Sequence, residues 1–141
     1  MKIGRSIDKN EIHYFIQLDK DGLLLKNNPI ELYWINNEDK GQVESINWIK
    51  KKFGYGLKYL KNEKQEAVFH FVSYPKRQLM VKKSLSGDYK IFTASNGLTV
   101  EISSIFIHID GGTFWLPNVT KVELHAMDIN SKKSIIEIIY P

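Results

Sequence analysis

Apolar residues recur at every second position through most of the chain, the period at which side chains alternate between the two faces of a β-strand. In Glu11 to Leu18, Ile12, Tyr14, Ile16 and Leu18 fall on one side and His13, Phe15 and Gln17 on the other, and Asp19-Lys20-Asp21-Gly22 then turns the chain. Asn27-Asn28-Pro29 disfavours helix ahead of the proline. Ile30 to Ile35 reads as a second strand, with Ile30, Leu32 and Trp34 on one face and Tyr33 on the other. From Leu57 onward the strand signature repeats in Leu57 to Lys61, Glu66 to Ser73, Gln78 to Leu85, Tyr89 to Ala94, Leu98 to Asp110, Thr120 to Ile129 and Ser134 to Tyr140.

The connections between these segments are short and polar, which makes neighbours antiparallel. Ser95-Asn96-Gly97 is the strongest hairpin signal, because Asn-Gly tolerates the positive φ angles of a tight reversal; Ser86-Gly87-Asp88 and Asn130-Ser131-Lys132-Lys133 carry weaker versions. Within Leu98 to Asp110 the apolar parity starts on Leu98, Val100 and Ile102 and moves to Ile105, Ile107 and Ile109 after Ser103-Ser104. Strict alternation cannot accommodate that slip, so a bulge or corner is expected at Ser103-Ser104.

One segment follows the helical period instead. Over Glu44 to Phe53, Ile46, Ile49 and Phe53 fall in a narrow sector, Ser45 can cap the N-terminus and Gly54 supplies a stop. Trp48 projects away from that stripe beside Lys51 and Lys52. The pattern as a whole predicts a mainly β fold: an antiparallel β-sandwich or a curled, barrel-like meander of about 8 to 9 strands with one short helix over 44–53. Residues 1–141 read as one β-rich domain, with 1–10 as a flexible N-terminal tail.

Composition narrows the functional classes. Hydrophobic residues make up 43% and charged residues 26% of the 141, close to a globular average. The longest apolar run, near Ile105 to Ile109, is too short to cross a bilayer, so no transmembrane segment is expected. Without cysteine, thiolate catalysis and cysteine-ligated metal centres are excluded. The net charge of +4 is spread over lysines and Arg77 among acidic neighbours, a solvated surface and not the stripe that nucleic acid requires.

Few residues carry chemistry. His108 and Asp110 share a side of their strand about 6 to 7 Å apart, a spacing suited to an acid–base pair or to two metal ligands. No further His-x-His or His-x-x-x-Glu completes a metal set, so neither a metal nor a cofactor is expected. His70 shares a face with Glu66 and Val68, and His125 with Lys121 and Glu123, the pattern of solvent-facing strands; convergence of His70, His108 and His125 in space would alter that reading. Gly54-Tyr55-Gly56 and Gly111-Gly112 are too short for phosphate loops and read as backbone devices. The aromatics Trp48, Tyr55, Tyr74, Phe114 and Trp115, with Asn118, are the candidate ligand-binding set, since aromatics on the loops of a β scaffold often build a pocket.

Pro29 through Tyr33-Trp34-Ile35, Phe53-Gly54-Tyr55-Gly56-Leu57, Phe71-Val72-Ser73-Tyr74 and Gly111-Gly112-Thr113-Phe114-Trp115-Leu116-Pro117-Asn118-Val119 occur in that order. This series resembles the successive motifs of an uncharacterised bacterial family defined by a domain of unknown function (DUF4833-like). The resemblance covers nearly the whole chain from Glu11. Gly54 and Thr113 stand where alanine and serine are commoner in that family, and Leu116 where a small polar residue is. The resemblance implies export, or the cell envelope, where a leader has been removed, and the cytoplasm otherwise. It brings no catalytic residues with it.

The expected function is therefore a non-catalytic binding module presenting aromatics to a small ligand, a glycan or a partner protein. The enzyme alternative is a hydrolase or lyase using His108 with Asp110, with Tyr55 or Glu101 as partner. A third reading, single-stranded nucleic-acid binding, would use the basic charge and stacking aromatics.

Overall fold

The computed structural model describes residues 1–37, 40–45, 54–113 and 116–141. Among them, eleven strands form one sheet: β1 (Lys2–Arg5), β2 (Glu11–Ile16), β3 (Ile30–Asn36), β4 (Gln42–Ser45), β5 (Leu57–Asn62), β6 (Glu66–Phe71), β7 (Tyr74–Lys83), β8 (Tyr89–Ser95), β9 (Leu98–Gly112), β10 (Pro117–Asp128) and β11 (Ser134–Ile139). The expected mainly β architecture is the observed one, in its curled form: a half-barrel of nine strands in the order β4-β3-β2-β1-β9-β8-β7-β6-β5, with β10 and β11 added beside β9. Of the helix expected over 44–53, Glu44 and Ser45 end strand β4, and 46–53, including Trp48, lie outside the described residues.

β9 organises the sheet. Val100 and Glu101 pair with both β8 and β10, whereas Ser104 to Ile107 pair with both β1 and β10. A strand has two edges, so β8 and β1 share the edge opposite β10, and the sheet divides there into a β1–β4 arm and a β5–β8 arm. The division falls at Ser103, the extra residue of a bulge between the pairs Ala126–Ile102 and His125–Ser104. Its hydroxyl donates to the His125 carbonyl at 3.0 Å. The parity slip thus marks a real corner: Val100 and Ile102 face the core before it and Ile105 after it.

The two arms close on one apolar cluster. Ile3, Ile12, Tyr14, Ile30, Leu32 and Trp34 come from one side, Phe69, Phe71, Leu79, Val81 and Ile91 from the other. Phe69 is 0% exposed, a burial that contributes about 1.5 to 3 kcal/mol. Across the seam the rings of Tyr14 and Phe71 meet edge to face at 5.8 Å, Tyr14 Oη donates to the Tyr55 carbonyl at 2.7 Å, and the Leu24 amide donates to the Lys64 carbonyl at 2.8 Å. Burial raises the Tyr14 hydroxyl well above its ordinary pKa, so it remains a donor.

One expectation is corrected. Residues 1–10 are not a loose tail, because Lys2–Arg5 is a strand whose Ile3 is 3% exposed and whose backbone pairs on both sides. One pairing, β1 with β9, is parallel. The chain permits it because β1 and β9 are far apart in sequence and need no hairpin. The Asn96-Gly97 reversal is as expected, with φ of +51° and +77° between the paired Ser95 and Leu98.

Candidate functional site

Beyond Ile107, β9 loses β1 as a neighbour and continues with β10 alone as a two-stranded ribbon. Gly112 closes its tip: at φ +84° an added Cβ would stand 2.5 Å from both Asn118 N and Leu116 O, which only glycine tolerates. Asn118 Nδ2 ties the ribbon by donating to the Asp110 carbonyl at 3.0 Å. Phe114 and Trp115 lie outside the described residues.

The two other described members of the aromatic set face inward. Tyr55 and Tyr74 are partly buried against the core, on bends held together by Ser73 Oγ donating to the Gly54 carbonyl at 2.8 Å and the Val72 amide to the Gly56 carbonyl at 2.9 Å. The Tyr55 hydroxyl accepts from Arg5 Nη1 at 3.2 Å, and Arg5 in turn lies 4.6 Å over the Trp34 ring and forms an ion pair with Asp8.

The strand histidines divide. His70 is on β6, with Nδ1 hydrogen-bonded to the Phe71 carbonyl at 2.9 Å. His108 and His125 converge, and what joins them is Glu123: His108 Nε2 bonds Glu123 Oε2 across the β9–β10 pair, and His125 Nε2 bonds Oε1 at 3.1 Å along β10. The exposed Asp110 stands one pleat further along the ribbon. Hydrogen bonding, first from His108 and then from His125, holds the Glu123 carboxyl below its ordinary pKa. An ionised carboxylate only accepts, so both imidazoles carry hydrogen on Nε2, and a neutral ring keeps Nδ1 as an acceptor.

Sequence reasoning missed that this arrangement has a twin. Glu11-Ile12-His13 on β2 and Glu123-Leu124-His125 on β10 are the same Glu-x-His pattern, and His13 Nε2 bonds Glu11 Oε1 at 3.3 Å. Strand register places both in matching rows of the outward face. One row runs His125, Ser104, Lys2, His13; the next runs Glu123, Phe106, Gly4, Glu11. Lys2 Nζ reaches Glu11 at 2.8 Å, and that contact, more than His13, lowers the Glu11 carboxyl. Between the twins an added Cβ on Gly4 would stand 3.1 Å from Phe106 Cδ2, so the missing side chain is what lets the ring lie across β1.

A groove of about 440 Å³ opens over this centre, its walls including Lys2, Glu11, Ser104, Phe106, Glu123 and His125, with 8–10 of the β1–β2 connection as its rim. Such a volume is within the usual range of small-molecule sites. Tyr55, Tyr74, Asn118, His108 and Asp110 are not among its walls. Among the described residues no three His, Asp or Glu side chains are placed to hold a metal ion, and no helix is long and apolar enough to cross a membrane.

Residues 1–138 match the model of a family described as Domain of unknown function (DUF4833). The chain belongs to that family, as the motif series anticipated. No curated protein and no solved structure matches it.

Proposed function

We propose that the protein is a non-catalytic binding module whose ligand seat is the groove on the outward face of β1, β2, β9 and β10. The observation that carries this reading is the groove itself: an aromatic floor at Phe106, with hydrogen-bonding groups at both ends of its row and along the adjoining row, built on paired strands with 8–10 as its rim. Binding is favoured over catalysis by where the groove lies. The acid–base pair that the sequence offered, His108 with Asp110, is not among the walls of the groove.

The test is to fill the groove without touching the core. Ser104 lines it from β9, so Ser104→Trp places an indole in the seat. A fragment screen by saturation-transfer NMR should find ligands of the wild-type protein that Ser104→Trp no longer binds at unchanged melting temperature. Fragments bound equally by both proteins would place the seat elsewhere.

A further inference from the structure

We infer that the groove takes an uncharged, hydroxyl-rich ring ligand, a short neutral glycan, laid over Phe106 between the two Glu-x-His pairs. The inference rests on the binding reading above and names its ligand class from three observations.

The first is charge. The groove walls carry Lys2, Arg5 and Lys9 against Asp8, Glu11 and Glu123, three of each sign, and the contacts Lys2–Glu11 and Arg5–Asp8 close charge upon charge within the site. An anionic ligand meets three carboxylates and a cationic one meets three bases. An uncharged ligand leaves every pair intact.

The second is the kind of polar group on offer. On its walls, His125 spends its Nε2 hydrogen on Glu123, and the carboxylates of Glu11 and Glu123 have lone pairs beyond those their partners use. The twin pairs are thus acceptor-rich, matched by a molecule that donates many hydroxyls. Lys2 supplies a donor beside them.

The third is shape. β10 and β2 are separated by β9 and β1, so the twins stand three strand spacings apart, about 14 Å. That span exceeds one sugar ring and suits a short linear oligomer. Its middle is Phe106, kept low over β1 by Gly4, an apolar surface for the C–H face of a ring. Ser104, in the adjoining row, adds a small hydroxyl and leaves the seat open.

The experiment is calorimetric titration of cellohexaose, chitohexaose, maltohexaose and mannohexaose, with an oligogalacturonate as charged counterpart, into wild type, Phe106→Leu and Glu123→Gln. Phe106→Leu keeps Gly4 covered while removing the ring, and melting temperature reports whether each variant folds. At least one neutral oligomer should bind, about tenfold more weakly to either variant, with the uronate no tighter than its neutral counterparts. Binding of the uronate alone, or undiminished binding to Phe106→Leu, would overturn the inference. Silence from every saccharide while Ser104→Trp still abolishes fragment binding would sink the glycan and leave the module; loss of both would remove the seat altogether.

Discussion

The two halves of β9 are made of similar residues and do different work. From Leu98 to Ile102 the strand is held between β8 and β10, with Val100 and Ile102 buried and Glu101 opposite Phe92. After Ser103 it is held between β1 and β10, Ile105 takes over the core, and the outward positions become Ser104, Phe106 and His108. The first half joins the β5–β8 arm; the second carries the candidate site on its other face. One inserted residue accounts for the difference, because a shift by one exchanges every inward and outward side chain.

Removing that residue is the strongest way to break the contrast. Deleting Ser103 leaves Val100, Ile102 and Ile105 on one face in unbroken alternation and removes the bulge at which the two arms part. The expected outcome is a large fall in melting temperature by circular dichroism, because a straightened β9 no longer seats both arms on one core. Next in size are the inward residues of the second half: Ile105→Ala should cost about 2 to 5 kcal/mol in urea unfolding, where Phe106→Leu, one position on and facing the groove, should cost less than about 1. Equal costs would mean that the two faces are not distinct. Gly112→Ala strains the ribbon tip through both its positive φ and two backbone contacts, for a loss of about 1 to 3 kcal/mol in the same assay.

The smallest effect concerns pH. Glu123 has a depressed pKa, its hydrogen bond from His108 being the chief cause, so its contribution to stability is present above the unfolded carboxyl value of 4.5 and is lost as pH falls through the folded one. Melting temperature between pH 6 and pH 3 should therefore drop more steeply for wild type than for Glu123→Gln, modestly, since the group is solvent-accessible. Parallel curves would show that the bridge to His108 and His125 contributes nothing.

Much of this contrast was legible along the chain. The parity slip located the Ser103 corner, and Asn96-Gly97 located its hairpin, because both are local properties of backbone and period. β1 was not legible: four residues with one inward apolar side chain, Ile3, give too short an alternation, and its partners lie elsewhere in the sequence. The site shows the same limit. His108 and His125 were recognisable as chemistry, yet the carboxylate between them was read as an ordinary surface glutamate, since only the register of β9 against β10 brings Glu123 to His108. The repeat of Glu-x-His at Glu11 and Glu123 was present in the sequence, and it acquires meaning only once β1 and β9 align the two rows. Aromatic residues drew attention to Tyr55 and Tyr74, which the fold uses to seal the core beside Arg5.

The most direct test of the central claim is an amide chemical-shift map recorded as the tightest-binding neutral oligosaccharide is added. The account predicts a single contiguous patch including Gly4, Glu11, Phe106 and Glu123, with Tyr55 and Tyr74 unmoved. A patch centred on Tyr55 and Tyr74, or on Pro117 and Asn118 of the ribbon, would contradict it.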